Sequence, residues 1–305
     1  MVSCDPKTAP SRSRLVGTVG RRRGTALAQD LHSRVIAITG ASSGIGRATA
    51  VACARAGMYV AVMARREGML GEVVDEIRSM GGRATAWAGS VDDPDSCARF
   101  IEHAERELGP LFAVFANAGY GFEKPVLETS EAELRRIFEV NFWGSVNTIR
   151  PALPGLLERG RGHVLLCSSC LSKIGLPFYG PYCATKACQD YLGRAMRHEL
   201  RARGVCVSTV HPIGTRTEFF DTAMARSGGE LALVDRSRQR FMQPPERVAS
   251  AIVRRLKRNR GGEVWTSLPT RLGLAFAVAA PGLTDFMLSK MFARKVRGKG
   301  GGGDA

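Results

Sequence analysis

The 305 residues, 44% hydrophobic and 24% charged, are enough for one large α/β domain with a full core. The formal charge of +16 raises nucleic acid and anionic membranes as partners, but residues 1–34 carry +5 of it and residues 290–305 carry +4. Over half the excess therefore sits in two tails and no DNA- or RNA-binding motif accompanies it, so nucleic acid is not the expected partner.

Residues 1–33, with Arg21-Arg22-Arg23 and no apolar run behind them, read as a basic, disordered leader and not as a secretory signal; an organellar leader stays open. From Arg34 onward short apolar runs alternate with longer helical ones. Strands are expected at Val35–Thr39, Tyr59–Ala64, Ala84–Ala88, Phe112–Ala116, His163–Ser168 and Val205–Val210. Helices are expected at Gly44–Ala56, Gly68–Met80, Pro94–Glu107, through Glu131–Glu158, and at Pro181–Arg203. Continuous apolar strands separated by helices predict an α/β fold, a doubly wound parallel sheet with helices on both faces. One domain is expected over residues 34–267, with a mobile insertion at about 214–243, before a helix that starts near Pro245. Residues 268–305 form an apolar extension with a basic, Gly-rich tail. Its stretch Leu272–Phe292 is interrupted by Pro281, Asp285 and Lys290, so it does not read as a spanning helix. Packing on its own domain or on a partner subunit is the default; an interfacial hairpin or a substrate-pocket wall is the alternative.

Eight scattered cysteines show no zinc-ligand spacing. Cys167 and Cys170 form a C-x-x-C, but Val164-Leu165-Leu166 before them makes two small core thiols the better reading. Free thiols at this density suggest a reducing, cytoplasmic compartment.

Three features carry chemistry. Thr39-Gly40-Ala41-Ser42-Ser43-Gly44-Ile45-Gly46 follows the first strand and opens the first helix, the context a phosphate-cradling turn requires. Tyr182 and Lys186 share a helix face at i, i+4, so an ammonium can sit beside a phenol and favour its ionised form. The second strand closes on Ala64 without a carboxylate and is followed by Arg65 and Arg66, which suit a ribose 2′-phosphate.

Together these segments resemble the short-chain dehydrogenase/reductase family in its single-domain, Rossmann-like form, from about Arg34 to Thr266. Thr39–Gly46 looks like its T-G-x-x-x-G-x-G loop, and Ala116-Asn117-Ala118-Gly119 like its N-N-A-G strand end, with Ala116 replacing the first Asn. Asn141 matches the Asn of the fourth helix, and Ser169 lies 13 residues before Tyr182, as the family's catalytic Ser does; Ser168 is one residue out of register. Pro212 and Thr217 match the segment after the sixth strand, with Ile213 replacing its Gly, and Ser90 stands where the family often has Asp.

The resemblance implies hydride transfer between NADP(H), favoured over NAD(H), and a carbonyl or secondary alcohol. Tyr182 would be the acid–base group, Lys186 would lower its pKa and bind ribose, Ser169 would hold the substrate oxygen, and Asn141 would keep a water in a proton relay. Gly40, Ser42, Ser43, Gly44, Ile45, Gly46, Arg65 (the leading phosphate contact), Arg66, Val91, Asn117, Ala118, Gly119, Pro212 and Thr217 would join Tyr182 and Lys186 on the cofactor. Phe178, Tyr179, Phe219 and Phe220 flank the expected site and favour a hydrophobic small-molecule substrate. A homo-oligomer is implied, with peripheral membrane contact as a further possibility. A non-catalytic NADP(H) sensor and an anionic-surface binder working through the basic tails are the competing functions. His211 reads as a satisfied loop histidine.

Overall fold

The computed structural model describes residues 29–227 and 242–299, so residues 1–28 of the expected leader and the middle of the 214–243 insertion lie outside the described residues, while the end of the leader packs on the domain, with Leu31 in the core. Seven strands form one parallel sheet: β1 (Val35–Thr39), β2 (Tyr59–Ala64), β3 (Ala84–Ala88), β4 (Leu111–Ala116), β5 (Gly162–Cys167), β6 (Val205–His211) and β7 (Gly262–Trp265), in the spatial order β3-β2-β1-β4-β5-β6-β7. Alternation along β1 shows why both faces need cover. Ile36 and Ile38 join one apolar cluster and Val35 and Ala37 the other, all of them buried.

The first face is covered by α1 (Gly44–Arg55), α2 (Glu67–Ser79) and α9 (Pro245–Arg258). The second is covered by α3 (Pro94–Leu108), α5 (Gly144–Ile149), α6 (Leu153–Glu158) and α7 (Gly180–Arg201). The expected strands and helices appear within a residue or two of their sequence bounds. The long helical span expected through Glu131–Glu158 is instead broken into α4 (Glu131–Phe138), a π turn (Glu139–Trp143), α5 and α6. α8 (Phe219–Arg226) lies in the expected insertion.

The apolar C-terminal stretch departs most from expectation. It folds as α10 (Leu268–Ala279) and α11 (Pro281–Lys299), and α10 buries none of its residues. Among the described residues α10 touches the 3-10 turn Cys170–Lys173, and Phe292 on α11 is the one large apolar side chain of the stretch that is buried. Among the described residues no single helix is long and apolar enough to cross a membrane; Leu268–Ala279 and Pro281–Ala293 reach that composition only as a pair bent by 109°.

His163 in the core ties stability to pH. His163 on β5 is fully buried; its Nε2 pairs with Ser208 Oγ at 2.8 Å, and its Nδ1 has no hydrogen-bond partner among the described residues. Burial, helped by the nearby Arg255 charge, pushes its pKa down to about 3. Its contribution to stability is present above the ordinary histidine pKa of about 6.5 and is lost as pH falls toward 3, because only the unfolded chain takes the proton. Unfolding free energy should drop by up to about 1.4 kcal/mol per pH unit below about pH 6.5. Urea melts of wild type and His163→Gln between pH 4 and 8 check this; parallel acid limbs in the two proteins would refute it.

Candidate active site

The sheet order reverses about β1, so β2 and β4 leave it on opposite sides and a crevice opens at the carboxyl ends of the strands. Asn117, just past β4, pins that crevice: its Nδ2 donates to Thr39 O at 3.0 Å and to Gly40 O at 3.1 Å. The loop between β1 and α1 can be built only with glycine at two points. Gly40 has φ +66°, and a Cβ there would lie 2.7 Å from Ala118 Cα. A Cβ on Gly46 would lie 2.2 Å from Gly40 O, so this residue sets the close approach of helix to loop.

A cavity of about 630 Å³ runs from this loop to the first turn of α7. Every residue predicted from the sequence for catalysis or cofactor binding lines it except Gly46, which packs behind the loop, and Asn141. Ser90 and Val91 line it as well. Leu171, Leu176, Tyr179 and Phe219 form an apolar lobe around Tyr182, and Ile213 and Met242 also line the cavity. The Tyr182 ring lies 5.4 Å from that of Phe219 and 6.3 Å from that of Tyr179. Phe178 is buried but does not line the cavity, and the Phe220 side chain lies outside the described residues.

α7 presents Tyr182 and Lys186 on one face, and both are buried. Lys186 Nζ lies 5.6 Å from the Tyr182 ring centre and donates to Cys167 O at 2.8 Å. The two serines after β5 separate cleanly. Ser168 Oγ donates to the backbone carbonyl of Lys186 at 2.8 Å, whereas the Ser169 hydroxyl meets the Tyr182 phenol and accepts from Leu171 N at 3.1 Å.

Burial acts on the pair in opposite senses. It pushes the Tyr182 phenol well above its ordinary value, against the hydrogen bond from Ser169, and pulls the Lys186 ammonium down. The net direction at Tyr182 is thus opposite to the lowering expected from its neighbouring cation. Desolvation of the phenol outweighs a charge that is itself desolvated and directed at Cys167 O. The Cys167 and Cys170 thiols are free and are raised by burial, so neither is an activated thiolate.

Asn141 sits in the π turn. Its side chain clamps the backbone of Tyr120, accepting from N and donating to O at 2.9 Å each, and donates to Thr185 Oγ1 at 3.1 Å. Its carbonyl accepts from Gln189 Nε2 at 2.7 Å and from Ser145 Oγ at 2.8 Å. Two donors occupy the carbonyl's two lone pairs.

Sequence reasoning missed two arrangements. Arg66, and not Arg65, is bonded over the glycine loop: its Nη2 lies 3.1 Å from both Ser42 Oγ and Ser43 Oγ and 2.7 Å from Glu218 Oε2. Glu218 precedes α8, 152 residues away in the chain, so no local signal could place a carboxylate there. The second arrangement lies behind Ser169. His211 is buried, stacks on Trp265 at 4.5 Å, and its Nδ1 lies 3.0 Å from Ser169 O. Its Nε2 lies 3.4 Å from Asp190 Oδ1, and Lys173 Nζ joins Asp190 Oδ2 at 2.6 Å to Glu263 Oε1 at 2.8 Å. The histidine is satisfied, as expected, but by groups far apart in the chain: Ser169 O after β5, Asp190 on α7 and the Trp265 ring on β7.

Comparison with known proteins agrees with this geometry. The family model described as short chain dehydrogenase matches residues 34–240. "Probable oxidoreductase EphD" of Mycobacterium tuberculosis is 32% identical over 82% of this chain and 43% of its own length. A fatty acyl-CoA reductase of the same organism is 30% identical over 73% of this chain and 80% of its own. A short-chain type dehydrogenase/reductase from Mycobacterium marinum superposes with a TM-score of 0.67 at 29% identity, covering 77% of this chain and 94% of that one. The chain spans less than half the length of the first relatives it matches. On its sheet order, its glycine loop and these matches, the chain belongs to the short-chain dehydrogenase family of oxidoreductases.

Proposed function

We propose that the chain is an NADP(H)-dependent oxidoreductase that interconverts a hydrophobic ketone or aldehyde and its alcohol. The observation that carries this reading is the buried Tyr182, in contact with the Ser169 hydroxyl and beside Lys186, at the apolar end of a cavity whose other end is the glycine loop. The cavity fits a dinucleotide: Gly40 and Gly46 exclude any Cβ from the loop, and Lys186 reaches the lining between the loop and the apolar lobe. When bound, the nicotinamide supplies or accepts the hydride.

The protein's part is to hold the oxygen and move the proton. The Ser169 hydroxyl orients the substrate oxygen, and the Tyr182 phenol donates its proton to that oxygen in reduction and recovers it in oxidation. Burial keeps the phenol neutral, which is the form reduction requires. Asn141 acts by holding the Tyr120 backbone against the Lys186 pocket; the relay implied by the family would need its carbonyl to exchange Gln189 or Ser145 for a water. A lipid-like substrate is supported by the apolar lobe and by the fatty acyl-CoA reductase among the relatives. Leu134, Trp143 and Tyr191 are exposed on or beside α4 and α7, where the family resemblance implies subunit contact.

Arg66 and Arg65 are proposed to read the 2′-phosphate, with Arg66 exchanging Glu218 for it. Arg66→Ala should weaken NADPH binding about 10- to 100-fold, as loss of a hydrogen bond to a charged group implies, and leave NADH nearly unchanged. Arg65→Ala should have the smaller effect, and Glu218→Gln should strengthen NADPH binding. Titration of cofactor fluorescence measures all three; equal losses for both cofactors in Arg66→Ala would remove Arg66 from this role.

A further inference from the structure

We propose that the α10–α11 hairpin is a docking element for an anionic lipid surface, lying in the plane of one leaflet. Leu272, Phe276, Phe286, Met287 and Met291 are each more than half exposed, and Val278 joins them, so a contiguous pair of helices, Phe292 apart, shows apolar side chains to solvent with none of the described residues over them. Scattered exposed apolar residues are ordinary, but this many on two adjoining helices mark an interaction surface.

Length decides between lying on and crossing. Twelve residues of α10 extend about 18 Å, against a hydrocarbon core of about 30 Å. The next helix turns away by 109°, so the pair cannot make one straight span. Charge decides between lipid and a second copy of the chain. Residues 268–299 carry six Lys or Arg (Arg271, Lys290, Arg294, Lys295, Arg297 and Lys299) and one acid, Asp285. A second copy would carry the same net +5 on its own segment, whereas an anionic leaflet complements it. Because α10 touches the turn Cys170–Lys173, whose Cys170 and Leu171 line the cavity, a docked hairpin stands beside the cavity wall.

The test is flotation of the full chain with phosphatidylcholine vesicles, with and without 30 mole per cent (about one lipid in three) phosphatidylserine, at low and high salt, an arrangement that screens surface charge. It does not depend on turnover, so it stands or falls apart from the catalytic reading. The chain should float with the anionic vesicles, at least tenfold more than with neutral ones, and salt should release it. In the full chain Leu272→Ser/Phe276→Ser/Phe286→Ser/Met287→Ser should lose that binding by more than tenfold while keeping its far-ultraviolet circular dichroism and melting temperature. Undiminished flotation of this variant, as adsorption through the basic tails would give, overturns the proposal. So does absence of flotation in wild type, including the case where light scattering shows a dimer that the four substitutions convert to monomer.

Discussion

Tyr182→Phe should lower turnover of carbonyl substrates by about 10²- to 10⁴-fold, the range in which a positioned proton donor contributes. The substitution keeps the ring that packs between Tyr179 and Phe219 and removes only the hydroxyl that meets Ser169. Nucleotide affinity and melting temperature should therefore change little. The pH dependence adds a sharper expectation. Burial raises the phenol, so reduction, which needs the proton, should hold its rate across neutral pH and fall only in alkali. Oxidation needs the phenolate and should rise with pH over the same range. Wild type and variant measured with NADPH and a panel of apolar ketones, and in reverse with the alcohols, provide the comparison. Activity in the variant equal to that of an active wild type would dismiss the catalytic assignment of Tyr182; no turnover in either would leave the cofactor-sensing alternative.

Lys173→Met should cost about 3–5 kcal/mol of unfolding free energy, a large part of the roughly 5–15 kcal/mol that holds a domain together. Lys173 neutralises Asp190, whose side chain is fully buried, and it is also bonded to Glu263. Removing one partner leaves a buried carboxylate uncompensated, which is why the loss exceeds that of any surface pair. Although burial opposes it, hydrogen bonds from His211 and Lys173 hold the Asp190 carboxyl well below its ordinary value. That stabilisation is present above the unfolded carboxylate pKa of about 3.9 and is lost as pH falls below it, so the most acidic limb of the stability curve should be steeper in wild type than in the variant. Lys173→Met/Asp190→Asn should recover much of the loss, since it removes both charges together. Urea melts of the three proteins settle the matter; a cost below 1 kcal/mol for Lys173→Met would show that the network carries little energy. Through His211, which meets Ser169 O, the same variant should also lower the rate with an apolar ketone without changing cofactor affinity.

The parallel sheet was legible because inner strands such as β1 and β4 are buried on both faces and must be apolar throughout, a pattern that Val35–Thr39 and Leu111–Ala116 display without help from distant residues. The glycine loop was legible for a similar reason. A positive φ at Gly40 and the close approach at Gly46 admit no other residue, so local geometry writes itself into the sequence. The Tyr182–Lys186 pair follows from helical spacing alone, and its distance from Ser169 from the family pattern.

What the chain's order could not reveal are the contacts made between elements far apart in it. The carboxylate at the phosphate loop comes from Glu218, and the support behind Ser169 is assembled from Lys173, Asp190, His211 and Glu263. Neither has a spacing to read. The direction of the Tyr182 shift belongs here too: sequence places a cation beside the phenol, but only the packing of Tyr179 and Phe219 around it makes desolvation the larger effect. The apolar run after Ser267 shows the same division. Its composition demands burial, and only the tertiary structure decides that among the described residues α10 buries none of its own and touches the turn at Cys170–Lys173.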